Sequence, residues 1–317
     1  MSRLPITGPR IPAPTRRQRP LHTLAARLTE RDLWLLDMLL EHSVLTSTHI
    51  AQLLRTSRRS ATRRLRTLVS LDLLTTFRPQ LPLGSAPMHY TLGRTGAALL
   101  AARLATTPGA LGWRPDTPSR IAFSPTLVHD LGVADFFSVL AQRSTTAAHL
   151  STWWSERRCR EQWGDLARPD AYGTSATPTS SASYFLEHDT GSEPLTQLAR
   201  KLDDFAQLAI ATRSRPLVLF SLHSGRREVN LHQRFTAHPT LDRLAVATFA
   251  RDQPLSPADA AWLPVGGTGR RLALVELPNG WPTERRPSTA ALAEGADRAC
   301  SPAPHPLSPG HPARPRP

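Results

Sequence analysis

Thr46–Arg78 reads TSTHIAQLLRTSRRSATRRLRTLVSLDLLTTFR, two short helical patterns separated by a few polar residues, the second dense in arginine. Thr46 is a natural cap for the first, since its hydroxyl can accept from the unsatisfied N–H groups of an opening turn. Leu45 before the cap and Ile50 within the helix have the spacing of a hydrophobic staple. Ser57 caps the second helix in the same way. Within it, Ala61, Leu65 and Leu68 recur at i, i+4, i+7 and define one buried stripe. Arg59, Arg63 and Arg66 recur at the same spacing on another face, flanked by Arg55, Arg58 and Arg64.

Folding requires the apolar stripe but not the row of arginines. Like charges at i, i+4 destabilise a helix by a few tenths of a kcal/mol each, so an external anion is the natural compensation. Acidic neighbours would supply it internally, yet Asp72 is the only acid between Glu41 and Asp116. The stretch therefore predicts a helix-turn-helix whose second helix meets double-stranded DNA. Arg59 and Arg63 are expected at base edges or phosphates, with Arg64 and Arg66 serving the backbone.

Working outward, Thr29-x-x-Asp32 has capping-box spacing and opens a helix in which Leu33, Leu36 and Leu40 are expected to face the core, up to Glu41. After the arginine-rich helix, Leu73–Phe77 and Met88–Leu92 are β-prone runs around RPQLPLGSAP, a turn-rich loop that begins at Arg78. A hairpin in that position makes the module resemble a winged helix, whose tip implies a further phosphate contact for Arg78. A helical pattern over 96–104 closes this domain, taken as 26–106. The Pro/Gly punctuation of 107–120 reads as a linker.

The formal charge of +14 favours a polyanionic partner. Residues 1–78 hold 14 arginines against 5 acids, a net of +9, so the first quarter carries most of the excess. No apolar run approaches the roughly 18 residues of a membrane helix, which argues against a membrane partner and for a cytoplasmic protein. Two cysteines, Cys159 and Cys300, support neither a disulfide framework nor a cysteine zinc site. Residues 1–25 and 282–317, rich in Pro and Arg, read as disordered basic tails. Lys201 is the single lysine among 39 basic residues, a compact charge with a tunable pKa in a chain that otherwise uses arginine.

Residues 121–281 carry a second pattern. A helix over 125–142, strand-like runs at 150–155, 168–172 and 184–189, a helix over 194–211 and an apolar strand over 217–222 give the order α-β-β-β-α-β. The stretch TSATPTSSAS reads as a flexible loop, 241–249 as a helix and 271–277 as a final strand. Pro169-Asp170 and Glu187-x-Asp189 put carboxylates at neighbouring strand ends, with Glu187 and Asp189 on one face. Lys201 follows on the next helix. Hard oxygen ligands beside a cation are what Mg²⁺ and an attacking water need in phosphodiester hydrolysis. Structural alternatives stand beside this: Asp170 suits a turn, and Glu187 and Asp189 suit ion pairs with Arg168 or Arg200.

This order and these carboxylates resemble the PD-(D/E)xK, restriction-endonuclease-like fold, with Asp189 where that pattern has its lysine and Lys201 as the candidate replacement. The resemblance implies Asp170, Glu187 and Lys201 as catalytic residues, Asp170, Glu187 and Asp189 as Mg²⁺ ligands, and a metal-dependent nicking nuclease as one function. Over residues 28 to 277, LTERDLWLLDMLLEHSVLTSTHIAQLL, RLRTLVSLDLL and RPDAYG…YFLEHDTG…LARKLDDFAQL resemble the replication-relaxation family of actinobacterial plasmids and integrative elements. That likeness implies a DNA-binding accessory, without an established activity, that works with plasmid replication or relaxation proteins; a homodimer is a further partner expectation. A winged-helix transcriptional regulator is the third reading.

Overall fold

The computed structural model describes the backbone of residues 6–10, residue 24, and residues 26–79, 84–267, 269–288 and 302–315. The protein is mixed α/β and divides into two compact units: Met1–Ser138 with Pro306–Arg314, and Val139–His305 with Pro315–Pro317.

In the first unit, strand β1 (Ile6–Arg10) precedes helix α1 (Glu30–His42). Thr29 caps α1 in a full capping box: Asp32 N–H donates to Thr29 Oγ1, and Thr29 N–H donates to Asp32 Oδ2 at 2.8 Å. The buried side of α1 is Trp34, Leu35, Leu36, Met38 and Leu39. The sequence reading placed Leu33 and Leu40 there, but both are only half-buried, because the core wraps a wider arc of this helix than one stripe.

Strand β2 (Leu45–Thr46) leads into α2 (Ser47–Leu53), and a tight turn leads to α3 (Arg58–Ser70). Thr46 caps α2, with His49 Nδ1 accepting from the Thr46 N–H in return. Ser57 caps α3. Ala61, Leu65 and Leu68 are the buried positions of α3, as their spacing predicts. Helix α2 is braced by residues far along the chain: His49 Nε2 lies 2.7 Å from Asp135, and Ser138 donates to Gln52.

Strands β3 (Leu74–Pro79) and β4 (His89–Leu92) form the expected antiparallel pair, in register from Leu74↔Leu92 to Phe77↔His89. With β1 on β3 and β2 on β4, the sheet order is β1-β3-β4-β2. Part of the loop between β3 and β4 lies outside the described residues. Helix α4 (Arg94–Arg103) follows, then α5 (Thr117–Ala122) and α6 (Leu127–Arg143). Ala122 and Leu127, with Ile121 and Leu131, pack against Val44 and Phe77. The Pro/Gly-rich 107–120 stretch is thus a set of turns inside the first unit, and the change of unit falls within α6.

The second unit is a six-stranded sheet of order β10-β9-β8-β7-β6-β5. Its elements are β5 (His149–Ser155), α7 (Glu156–Trp163), β6 (Ala171–Ala176), β7 (Ser181–His188), α8 (Leu195–Thr212), β8 (Leu217–Leu222), α9 (Gly225–Thr236), β9 (Ala245–Ala250) and β10 (Leu263–Pro264). β5, β6 and β7 run antiparallel, while β7, β8 and β9 are parallel, with α8 and α9 as crossovers. Trp163, Tyr172, Phe185, Leu198, Leu202, Phe205, Val218, Phe220, Leu231 and Phe235 make its main core.

Several expectations are corrected. Helices α7 and α9 were missed; α9 buries only Glu228, Leu231 and Phe235, too few apolar positions to announce a helix. The 241–249 helix is instead a short 3-10 turn and β9, whose six residues are all buried. A continuous apolar run of that length does not distinguish a buried parallel strand from a helix. The final strand expected at 271–277 is a 3-10 turn, Leu274–Asn279, preceded by an isolated bridge from Leu272 to Trp262. Most of the supposed flexible loop TSATPTSSAS is the β6–β7 hairpin. The tails, where described, are ordered: residues 6–10 form β1, and 302–315 contains buried Leu307, Ser308, His311 and Ala313.

Candidate nucleic-acid interface and carboxylate cleft

The arginines named from the sequence in the first unit separate into two groups. Arg58, Arg59, Arg63 and Arg66 on α3, Arg55 in the turn before it and Arg78 at the end of β3 are exposed. Arg58 donates to Thr48 Oγ1, a neutral partner, and Arg78 to Ser85 Oγ. Among the described residues, no carboxylate forms an ion pair with Arg58, Arg59, Arg63 or Arg66. Arg64 differs from the reading that gave it to the phosphate backbone. Its Nε donates to Asp32 Oδ1 at 2.8 Å, and its second guanidinium nitrogen grips Asp32 Oδ2. Burial pushes the Asp32 carboxyl up, but hydrogen bonds from Arg64 and Thr29 outweigh it and hold the pKa below the ordinary carboxylate range. Arg64 is a tie between α3 and the start of α1.

In the second unit, the carboxylates named from the sequence are near one another but differently engaged. Glu187, buried on β7, accepts from Lys201 Nζ on α8 at 2.6 Å. Glu193 stands 3.7 Å from the same nitrogen. Burial works against the charged lysine, yet the carboxylates of Glu187, Asp170 and Glu193 overcome it and raise the Lys201 pKa above its usual range. Asp170 Oδ2 accepts from the His188 N–H at 2.6 Å, joining the start of β6 to the end of β7. Glu187 thus pairs with Lys201.

Asp189 is taken out of the cluster. Arg227 on α9 grips both its oxygens, at 2.5 and 2.8 Å, and the Gly191 N–H adds a bond at 3.1 Å. Burial raises its carboxyl pKa, but these bonds prevail and lower it. Arg251 donates to the Asp189 carbonyl at 2.6 Å. Sequence reasoning missed both arginines, which lie 38 and 62 positions away with no local pattern to announce them. Among the described residues, no group of three or more His, Cys, Asp or Glu side chains is placed to hold a metal ion. Of the three carboxylates named as Mg²⁺ ligands, Asp189 has both oxygens engaged by Arg227.

A cleft of about 340 Å³ opens beside Glu187 and Lys201. Arg168 and Asp165 line it from the segment after α7, and Asp204 and Phe205 from α8. Burial and the neighbouring Asp203 raise the Asp204 carboxyl pKa, against the pull of Lys201 and Arg168. The cleft offers two cations, three carboxylates and an aromatic edge, a polar recess rather than an apolar pocket.

These features define a two-unit α/β protein with a cationic helical face in one unit and a carboxylate–lysine cleft in the other. The chain belongs to the replication-relaxation family, whose profile matches residues 36–217, more than half its length and including both features. No curated protein and no solved structure matches it. Among the described residues, no helix is long and apolar enough to cross a membrane.

Proposed function

We propose that the protein is a DNA-binding accessory of plasmid or integrative-element replication or relaxation. On this reading the first unit is a winged helix-turn-helix: α2 and α3 are the paired helices, α3 lies in the major groove and the β3–β4 hairpin flanks it. The observation that carries the reading is the exposure of Arg58, Arg59, Arg63 and Arg66 along α3 without a carboxylate partner. Duplex phosphates are the dense anion that such a row fits. Family membership supports the replication role. Arg64, being tied to Asp32, is left out of the interface.

The test is equilibrium binding of fluorescent duplex DNA to the full chain. Arg59→Ala and Arg63→Ala should each weaken binding by about tenfold, the cost of a lost charge-assisted contact. Unchanged affinity in both would discard the interface.

One observation favours a second reading, a nicking nuclease related to the PD-(D/E)xK fold: Lys201 reaches Glu187 at the edge of an open cleft. Against it stands the removal of Asp189 by Arg227. Supercoiled plasmid incubated with Mg²⁺ decides between them. Nicking that disappears in Asp170→Ala and Glu187→Ala would establish the nuclease, whereas intact supercoils throughout would leave the accessory role alone.

A further inference from the structure

The residues that lead into β8 and β9 lie side by side, because the two strands are parallel and in register from Leu217↔Ala245. The Ala245 N–H donates to the Pro216 carbonyl at 3.0 Å, which carries the pairing back beyond the strands. Three chain segments meet at this end of the sheet. Arg213 and Arg215 lie between α8 and β8, Asp242 and Arg243 in the 3-10 turn before β9, and Glu284, Arg285 and Arg286 in and just after the 3-10 turn Thr283–Arg285. Arg215 and Ser288 tie the third segment to the first, their backbones exchanging hydrogen bonds at 3.2 and 2.9 Å. The segments bring together five arginines and two acids, a net of +3.

Little inside the protein answers that charge. Asp242 comes no nearer than 3.6 Å to Arg285 Nη2, beyond a charge-assisted hydrogen bond, and its side chain is 89% exposed. Arg213, Arg243 and Arg286 are exposed and, among the described residues, pair with no carboxylate. Arg215 Nε and Nη2 and Arg285 Nε are buried and, among the described residues, donate to no acceptor. Burial and the neighbouring Arg285 charge push the Arg215 pKa down, against the pull of Asp242. A guanidinium stays protonated all the same, so two like charges stand together with donors unmade, an arrangement folding does not ask for. Their field is directed at the exposed arginines in front of them and at whatever anion meets those arginines.

We propose that this end of the second unit is a second phosphate-binding surface: Arg213, Arg243 and Arg286 contact the backbone of duplex DNA, and Arg215 and Arg285 strengthen the positive potential behind them. Guanidinium groups offered from three separate segments match a polymer that carries a charge at every repeat, and backbone contact of this kind needs no pocket. The proposal takes its partner from the duplex-DNA reading above. It gives the second unit a share in binding, added to the contacts made by α3.

The test uses the full chain and a fluorescent duplex, with thermal melting of every variant in parallel. Arg243→Ala and Arg286→Ala combined should weaken binding by about tenfold and lower the salt slope by about 2, with the melting temperature unchanged. Arg215→Met should also weaken binding, while its melting temperature holds or rises because unmade donors and a like charge are removed. A lower melting temperature with affinity unchanged would make Arg215 structural and count against the surface. Unchanged affinity and slope in the Arg243/Arg286 double variant, with Arg59→Ala still weakened, overturns this surface and leaves α3 as the DNA contact. Loss in the double variant with none in Arg59→Ala or Arg63→Ala upholds this surface and removes the α3 interface. A fluorescent polyglutamate peptide that binds wild type and not the double variant, with duplex binding equal in both, would make the partner an acidic protein and overturn the nucleic-acid assignment.

Discussion

Replacing Arg64 with alanine separates the two kinds of arginine on α3. It leaves the nearly buried Asp32 carboxylate without its strongest donor. We expect a stability loss of about 1–2 kcal/mol, the range for a charge-assisted hydrogen bond after allowing for the exposure of the arginine. Because the folded-state pKa of Asp32 lies below its unfolded value of about 3.9, the pair's contribution is present above that pH and lost as pH falls through the folded value. The stability gap between wild type and Arg64→Ala should therefore narrow in acid. Arg63→Ala, one residue away, should leave stability within about 0.5 kcal/mol and reduce DNA affinity instead. Urea denaturation at pH 7 and pH 3 measures both. Lys201 reports with the opposite sign. Its folded pKa is raised, so its pairing with Glu187 contributes fully below about pH 10.4 and fades only as pH climbs through the folded value. Lys201→Met strands a buried carboxylate, and we expect a loss of about 3 kcal/mol at pH 7. Equal urea midpoints for Lys201→Met and wild type would show that Glu187 needs no cation.

At the scale of elements, local signals succeeded where they were chemical and failed where they were merely apolar. Thr29, Thr46 and Ser57 marked three helix starts because a capping hydroxyl has a fixed job at a fixed offset. The pairing of β3 with β4 followed from two β-prone runs around a turn. β9 did not declare itself, since AVATFA is buried on both faces and has no period to read. The one lysine of the chain draws attention to Lys201, but its ion pair with Glu187 was not legible, since Arg168 and Arg200 are the ion-pair candidates the sequence offers. Asp189 was misjudged because its partners Arg227 and Arg251 come from later in the fold. The close approach of α4 to the α3–β3 connection was equally hidden, and it yields a prediction. A Cβ on Gly96 would sit 2.2 Å from the Leu73 carbonyl oxygen, and one on Gly93 2.4 Å from that of Asp72. Both obstacles are backbone, so neither can swing aside. Gly96→Ala should gain helix propensity yet destabilise the unit by about 1–3 kcal/mol through overpacking. A melting temperature that rises instead would mean α4 is not seated as closely as described.

For the whole molecule, the distribution of charge matters more than its total. The chain carries +14, but residues 1–78 alone contribute +9, and six exposed arginines of the first unit lie on α3, in the turn before it and at the end of β3. Binding through such a surface releases counterions condensed on DNA, and log affinity falls with log salt at a slope of about 0.9 per phosphate neutralised. Contacts from Arg55, Arg58, Arg59, Arg63, Arg66 and Arg78 give a slope near −5, so affinity should drop roughly a thousandfold between 50 and 200 mM salt. Arg64→Ala should leave that slope unchanged, since its charge is already matched by Asp32, whereas removing Arg59 and Arg63 together should reduce it by about 2. Titrations at four salt concentrations on these three proteins separate a diffuse attraction from a defined interface. If the slope responded to Arg64→Ala as strongly as to the others, total charge rather than the exposed row would govern binding. A slope that follows only the exposed row would tie recognition to α3, and so to the way Asp32 and the capping hydroxyls fix that helix in place.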